Sequence, residues 1–167
     1  MPHRASDPLL LFRAGDHRLA LPAREVREVL PLLPIARPPT LPRPLAGFVD
    51  VRGETLPVLA PALLFDTGAT LGTLDLFAHL IRPRGDAAVT PCLLVDRVED
   101  MVAPEPEAIR PVDPEASHNG AILAELTLDD GPAHLLSLAR LLSEAERDRL
   151  AALATHADAR AAEWADG

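Results

Sequence analysis

The chain has 167 residues, 48% of them hydrophobic but only 3% aromatic, so one domain with a core of leucine, valine, isoleucine and alanine is the simplest expectation. A formal net charge of −9 argues against the basic face that nonspecific nucleic-acid binding requires. All 16 lysine-plus-arginine positions are arginine, which excludes a Schiff-base lysine or a P-loop.

Residues 1–7 read as a flexible lead-in without the charged-then-apolar pattern of a signal peptide. No apolar run reaches the ~20 residues that span a bilayer, so a cytoplasmic protein without membrane insertion is expected. Leu9–Arg13 and His17–Leu21 flank Ala14-Gly15-Asp16, a hairpin whose Gly15 supplies positive φ. Pro22 and Pro31 bound Arg24–Leu30, which reads as a short helical turn or an irregular strand. Pro31, Pro34, Pro38, Pro39, Pro42 and Pro44 then predict an extended connection over 31–44.

Gly47–Leu59 reads as strand, tight turn, strand, with Arg52 in the turn. Alternation sends Val49 and Val51 toward the core and Phe48, Asp50 and Arg52 to the other face. Phe48 on that polar face is either a contact surface or covered by another part of the chain. Leu74–Ile81 and Cys92–Met101 read as two more strands around Arg82–Asp86, and the unbroken apolar run Cys92–Val95 predicts burial on both faces. Ala103–Pro114 reads as an exposed connection anchored by Ile109. Ile122–Leu128 and Ala133–Leu138 flank Asp129-Asp130-Gly131, a further hairpin.

A short internal echo is visible. Val49–Gly53 leads through a strand to Pro61–Leu64, and Leu126–Gly131 leads to Ala139–Leu142, as two similar small β-units would. From Leu138 onward Leu138, Leu141, Leu142, Ala145, Leu150 and Leu153 fall near one helical face. Ser143 with Glu146 forms a capping box. The helix is expected from about Glu144, within a helix-and-tail segment 144–167 that frays past Thr155. Trp164 is open to three readings: a loose tail, packing on the body, or a partner contact.

Enzyme signatures are missing from the sequence. The histidines (His3, His17, His79, His118, His134, His156) show no HExxH and no zinc spacing. There is no GxSxG, and Asp66–Thr73 holds two glycines but no phosphate-binding lysine. Cys92 is the single cysteine, so no intrachain disulfide forms. A thiol dyad with a distant histidine stays open, although Leu93 and Leu94 would raise the thiol pKa by desolvation. His134, between Ala133 and Leu135, reads as a packed or edge histidine. No catalysis, metal or cofactor is expected.

Over residues 8–143 the chain resembles the CheW family of chemosensory coupling proteins. The resemblance rests on an ordered set: the opening hairpin; Leu21-Pro22 leading to Val26-Arg27-Glu28-Val29; the proline-rich link; Gly47, Val51-Arg52-Gly53-Glu54 and Leu56-Pro57-Val58; Leu93-Leu94-Val95-Asp96-Arg97-Val98; and Leu135–Leu142. It implies a mainly β fold of two five-stranded SH3-like β-barrel subdomains, with short helices and a C-terminal helix. It also implies a non-catalytic adaptor that bridges the cytoplasmic tip of a methyl-accepting chemotaxis receptor and the regulatory domain of a CheA-type histidine kinase. The receptor-facing positions it carries over are Arg52 and Glu28, with Val26, Gly47 and Gly53 beside them. Phe48 and Asp50 join these as neighbours on the hairpin.

The sequence departs from the family pattern at Asp50 (often asparagine), at Ala60 and Ser137 (commonly aspartate) and at Ala124 (usually glycine). Those changes leave room for a divergent adaptor of a pilus, surface-sensing or second-messenger system. A small β-barrel hydrolase or isomerase is the reading from another class.

Overall fold

The computed structural model describes residues 7–38, 41, 45–65, 78–85, 90–113, 115 and 120–165. The strands are β1 (Leu9–Ala14), β2 (His17–Pro22), β3 (Val26–Pro31), β4 (Leu45–Val51), β5 (Glu54–Leu59), β6 (His79–Pro83), β7 (Cys92–Val95), β8 (Arg97–Val102), β9 (Ile109–Pro111), β10 (Ile122–Leu128) and β11 (Gly131–Leu136). A short helix α1 (Pro61–Phe65) follows β5, and a long helix α2 (Glu144–Ala165) closes the described chain.

The strands form two sheets, a five-stranded one in the order β3-β6-β7-β5-β4 and a six-stranded one in the order β8-β1-β2-β11-β10-β9. The pairing pattern is the same in both. Read from β3 and from β8, it runs antiparallel, antiparallel, parallel, antiparallel. Thus β3, β6, β7, β5 and β4 correspond to β8, β1, β2, β11 and β10, and the predicted twin five-stranded units are present. The opening hairpin β1–β2 belongs to the second unit, although it precedes the first in sequence.

Alternating side chains feed three cores. Leu9 and Leu11 of β1 point into the second barrel, with Ala20, Leu126 and Leu135. Cys92 and Leu94 of β7 point into the first, with Val49, Val51, Leu56 and Val58. The other faces of these strands, Leu10, Phe12, Leu93 and Val95, meet between the barrels with Leu19, Leu21, Leu59, Ile81 and Leu136. The apolar run of β7 is therefore buried on both faces because it serves two cores, as a period of two requires.

Several boundaries differ from expectation. Cys92–Met101 is not one strand: β7 lies in one sheet and β8 in the other, and the chain crosses between them at Asp96. The Asp96 backbone N–H donates to the Arg13 carbonyl (2.8 Å), and its carboxylate accepts from the Gly15 N–H (2.7 Å), so the crossing is pinned to the β1–β2 turn. Ala103–Pro114 contains a further short strand, β9, paired to β10, with Ile109 packed on the second core as the anchor. The expected start of a strand at Leu74 lies outside the described residues, as do the Asp66–Thr73 segment and residues 1–6. Helix α2 does not fray past Thr155; it stays helical to Ala165. No helix among the described residues is long and apolar enough to cross a membrane.

Candidate functional site: the Arg52 turn

The β4–β5 connection has two central residues, Arg52 and Gly53, because Val51 pairs with Glu54. Both lie at positive φ, 53° and 85°, as a type I′ hairpin demands. Glycine does this freely. An L-residue with a side chain pays about 1–2 kcal/mol, and Arg52 is the one non-glycine residue at positive φ among those described. Asp50 steadies the turn by accepting a hydrogen bond from the Gly53 N–H (2.8 Å), a task that an asparagine carbonyl would also perform.

The Arg52 side chain is 63% exposed yet held. Its Nη2 donates to Glu28 Oε1 at 2.6 Å. Glu28 sits on β3, where it pairs across the strands with Arg82 of β6. Arg82 Nη1 lies 3.3 Å from that same Glu28 oxygen, and its Nη2 donates to Glu54 Oε2 at 2.7 Å. Arg82 is the buried charged residue of the described chain, only 5% exposed. It is the buried link of a relay of ion pairs that runs Glu54, Arg82, Glu28, Arg52, with solvent-exposed side chains at both ends. Since β3 and β4 are opposite edges of the first sheet, these ion pairs tie together the two margins that backbone pairing leaves open.

The charges reinforce this reading. Hydrogen bonding to Arg52, opposed by partial desolvation and aided by Arg82, holds the Glu28 carboxyl below its ordinary range. Glu28 therefore stays a carboxylate at neutral and mildly acid pH. Behind the relay, burial pushes the Cys92 thiol up to about 11 despite the attraction of Arg82. So high a value leaves Cys92 almost entirely as the thiol near neutral pH.

The second barrel repeats the device with the signs exchanged at its tip. Asp130, in the β10–β11 turn, accepts two hydrogen bonds from Arg18 of β2 (2.8 and 2.9 Å), and Glu99 of β8 pairs with Arg13 of β1 (3.1 Å). Charged side chains thus close both sheets, with an arginine in the turn at the tip of the first and an aspartate in the turn at the tip of the second.

Of the residues expected at a partner surface, Arg52, Glu28, Asp50 and Gly53 come together at this turn. Val26 is half-buried against the core between the barrels. Phe48 is corrected: it is only 5% exposed, because backbone bonds in both directions join it to Ala36 (2.8 and 2.9 Å), so the chain's own proline-rich link covers it. Gly47 is corrected likewise. A Cβ there would fall 2.3 Å from the Ala36 carbonyl oxygen, so its close approach is to residues 35–36 of the same chain and not to a partner. Sequence reasoning missed Arg82 and Glu54 as members of the site. An arginine directly after Leu80-Ile81 in an apolar strand was the available signal. Val29, one residue past Glu28, is 40% exposed and adds an apolar side chain to the outer edge of β3.

Comparison with known proteins agrees with this architecture. The CheW-like domain family matches residues 8–146. A probable chemotaxis protein CheW from Rhizobium etli is 30% identical over 145 residues, covering 84% of this chain and 90% of that protein. Among solved structures, the scaffolding protein TtCheW from Thermoanaerobacter tengcongensis superposes with a TM-score of 0.64 at 19% identity, over 79% of this chain and 89% of that one.

Proposed function

The chain belongs to the CheW-like family, and on that footing we propose that it is an adaptor coupling chemoreceptors to a CheA-type histidine kinase, with the Arg52 turn as its receptor-facing site. The observation that carries the site is the strained, outward-directed guanidinium. An exposed Arg–Glu pair contributes about 0–1 kcal/mol, less than the roughly 1–2 kcal/mol that a left-handed L-residue costs. Stability alone therefore gives no clear reason for an arginine at this position, and we explain its presence by what it contacts outside the chain.

The guanidinium offers a planar fork of donors for backbone carbonyls or carboxylates at the end of a receptor helical hairpin. Glu28 fixes its azimuth, and Arg82 fixes Glu28. The kinase regulatory domain is assigned to other faces of the barrels, so the two bindings are separable. No bond-making step is required of any residue, and the protein works by holding two partners in register.

Arg52→Glu tests the assignment. Affinity for a receptor cytoplasmic fragment is expected to fall at least tenfold by isothermal titration, while binding to the kinase regulatory domain changes less than twofold. Receptor binding as tight as that of the parent protein would reject the site.

A further inference from the structure

The CheW-like match ends at residue 146, whereas α2 continues to Ala165. Leu150 anchors the helix in the core between the barrels, where Leu59 also lies. Leu59 pairs with Leu45 at the base of the β4–β5 hairpin, the end opposite the Arg52 turn. Farther along α2, Leu153, His156 and Arg160 line a groove of about 470 Å³ with Val49, Asp50 and Thr55 of the hairpin. Asp50 pairs with Thr55, one position before the Val51–Glu54 pair that closes the turn. The helix therefore runs beside the hairpin from its base toward its turn.

Leu153, His156, Arg160 and Trp164 are spaced by three, four and four residues, so they share one helical face. That face is half-buried at Leu153, borders the groove at His156 and Arg160, and is 85% exposed at Trp164. Length accounts for the change. From Leu150 to Trp164 a helix rises about 21 Å, whereas β5 from Leu59 back to Glu54 spans only about 17 Å. Trp164 thus reaches past the end of the strand to the level of the turn. Arg160 has no acidic partner within ion-pair distance among the described residues, and the Arg52 side chain is 63% exposed. In a chain of net charge −9, two outward guanidiniums and an indole therefore share one margin of the first barrel.

We propose that this end of α2 is the second wall of the receptor-facing site, with Trp164 as an apolar anchor and Arg160 as a second guanidinium beside Arg52. The occupant is the end of the receptor's helical hairpin, the partner already assigned to the turn, so the inference rests on that reading. The first helix of such a hairpin stops there with its last carbonyls free, and their partial negative charge suits a pair of arginines. Tryptophan and arginine are also the side chains that most often dominate an interface. Every described side chain of α2 after Leu153 is exposed, so a partner reaches these residues without disturbing the body.

Isothermal titration of the full chain with a receptor cytoplasmic fragment is the test. Trp164→Ala and Arg160→Glu are each expected to weaken binding about fivefold or more, with helix content by circular dichroism unchanged and affinity for the kinase regulatory domain within about twofold. The emission of the single tryptophan should move to the blue as the fragment saturates the parent chain. Arg52→Glu, measured alongside, separates the two claims. If it weakens receptor binding while both α2 variants bind like the parent, the helix wall is rejected and the turn stands. If the α2 variants weaken binding and Arg52→Glu does not, the turn assignment falls and the contact by α2 stands. Receptor affinity unchanged in all three variants overturns both.

Discussion

Arg52 shows how a residue's backbone conformation and its side-chain partners together define a surface group. Its positive φ was not legible in the sequence, because Arg-Gly predicts a tight turn without saying which turn. The pairing of Val51 with Glu54 leaves a two-residue loop, and the type I′ turn that it adopts puts both central residues in the left-handed region. Glu28 was legible only through the family resemblance. Nothing local distinguishes it from Glu25, whose carboxyl is instead pushed up by burial. Arg82 was hidden by its neighbour: Pro83 and Gly85 make Arg82–Asp86 read as a loop, whereas register with β3 holds Arg82 inside the sheet. Arg82→Met removes the inner link while keeping the packed stem. Because Glu28 and Glu54 remain partly hydrated, the loss is expected to be about 1–2 kcal/mol in urea unfolding and not the roughly 3–5 kcal/mol of a fully buried pair broken on one side. The receptor affinity should fall as well, since Glu28 then has only Arg52 to orient it.

At the scale of elements, the start of α2 was read correctly because its cap is written in two side chains. The Ser143 N–H donates to Glu146 Oε2 (2.6 Å), and the Glu146 N–H donates to Ser143 Oγ (3.2 Å). Ser143→Ala should cost about 1 kcal/mol of stability, read as a lower thermal midpoint by circular dichroism. The end of α2 was not legible. The alanine-rich tail favours helix intrinsically, and Leu150 anchors the helix on the body. The β7–β8 boundary was missed for a different reason. The apolar run Cys92–Val95 passes through Asp96 into the mixed segment Arg97–Val102 without a glycine or proline to mark a break, and only the three-dimensional register shows that the two halves serve different sheets. The hairpins β1–β2, β4–β5 and β10–β11 were each marked by a glycine at the turn, and all three are present.

For the whole molecule, the echo between the Val49 and Leu126 segments was the trace of two units with the same strand order. Its full extent was hidden because the second unit is assembled from both ends of the described chain. The core between the barrels joins Phe12, Leu19 and Leu136 of one unit to Leu59, Ile81 and Leu93 of the other. Two barrels that share this much interior should unfold together. Hydrogen exchange measured across a urea series is expected to show segments 45–59 and 122–136 losing protection at the same denaturant concentration. Separate midpoints would mean that the barrels are independent folding units.

The strand order also sets a schedule for synthesis. β1–β2 leaves the ribosome first, yet its hydrogen-bonding neighbours β8 and β11 come more than 70 and more than 100 residues later. At about 5–20 residues per second, the β11 edge of that hairpin waits roughly 5–20 s for its partner while β3–β7 is already available. During that interval Leu9, Leu11 and Phe12 are sticky surface on a nascent chain. Until β8 and β11 arrive, both edges of that ribbon are open strand edges, the feature through which β-structure pairs with other chains.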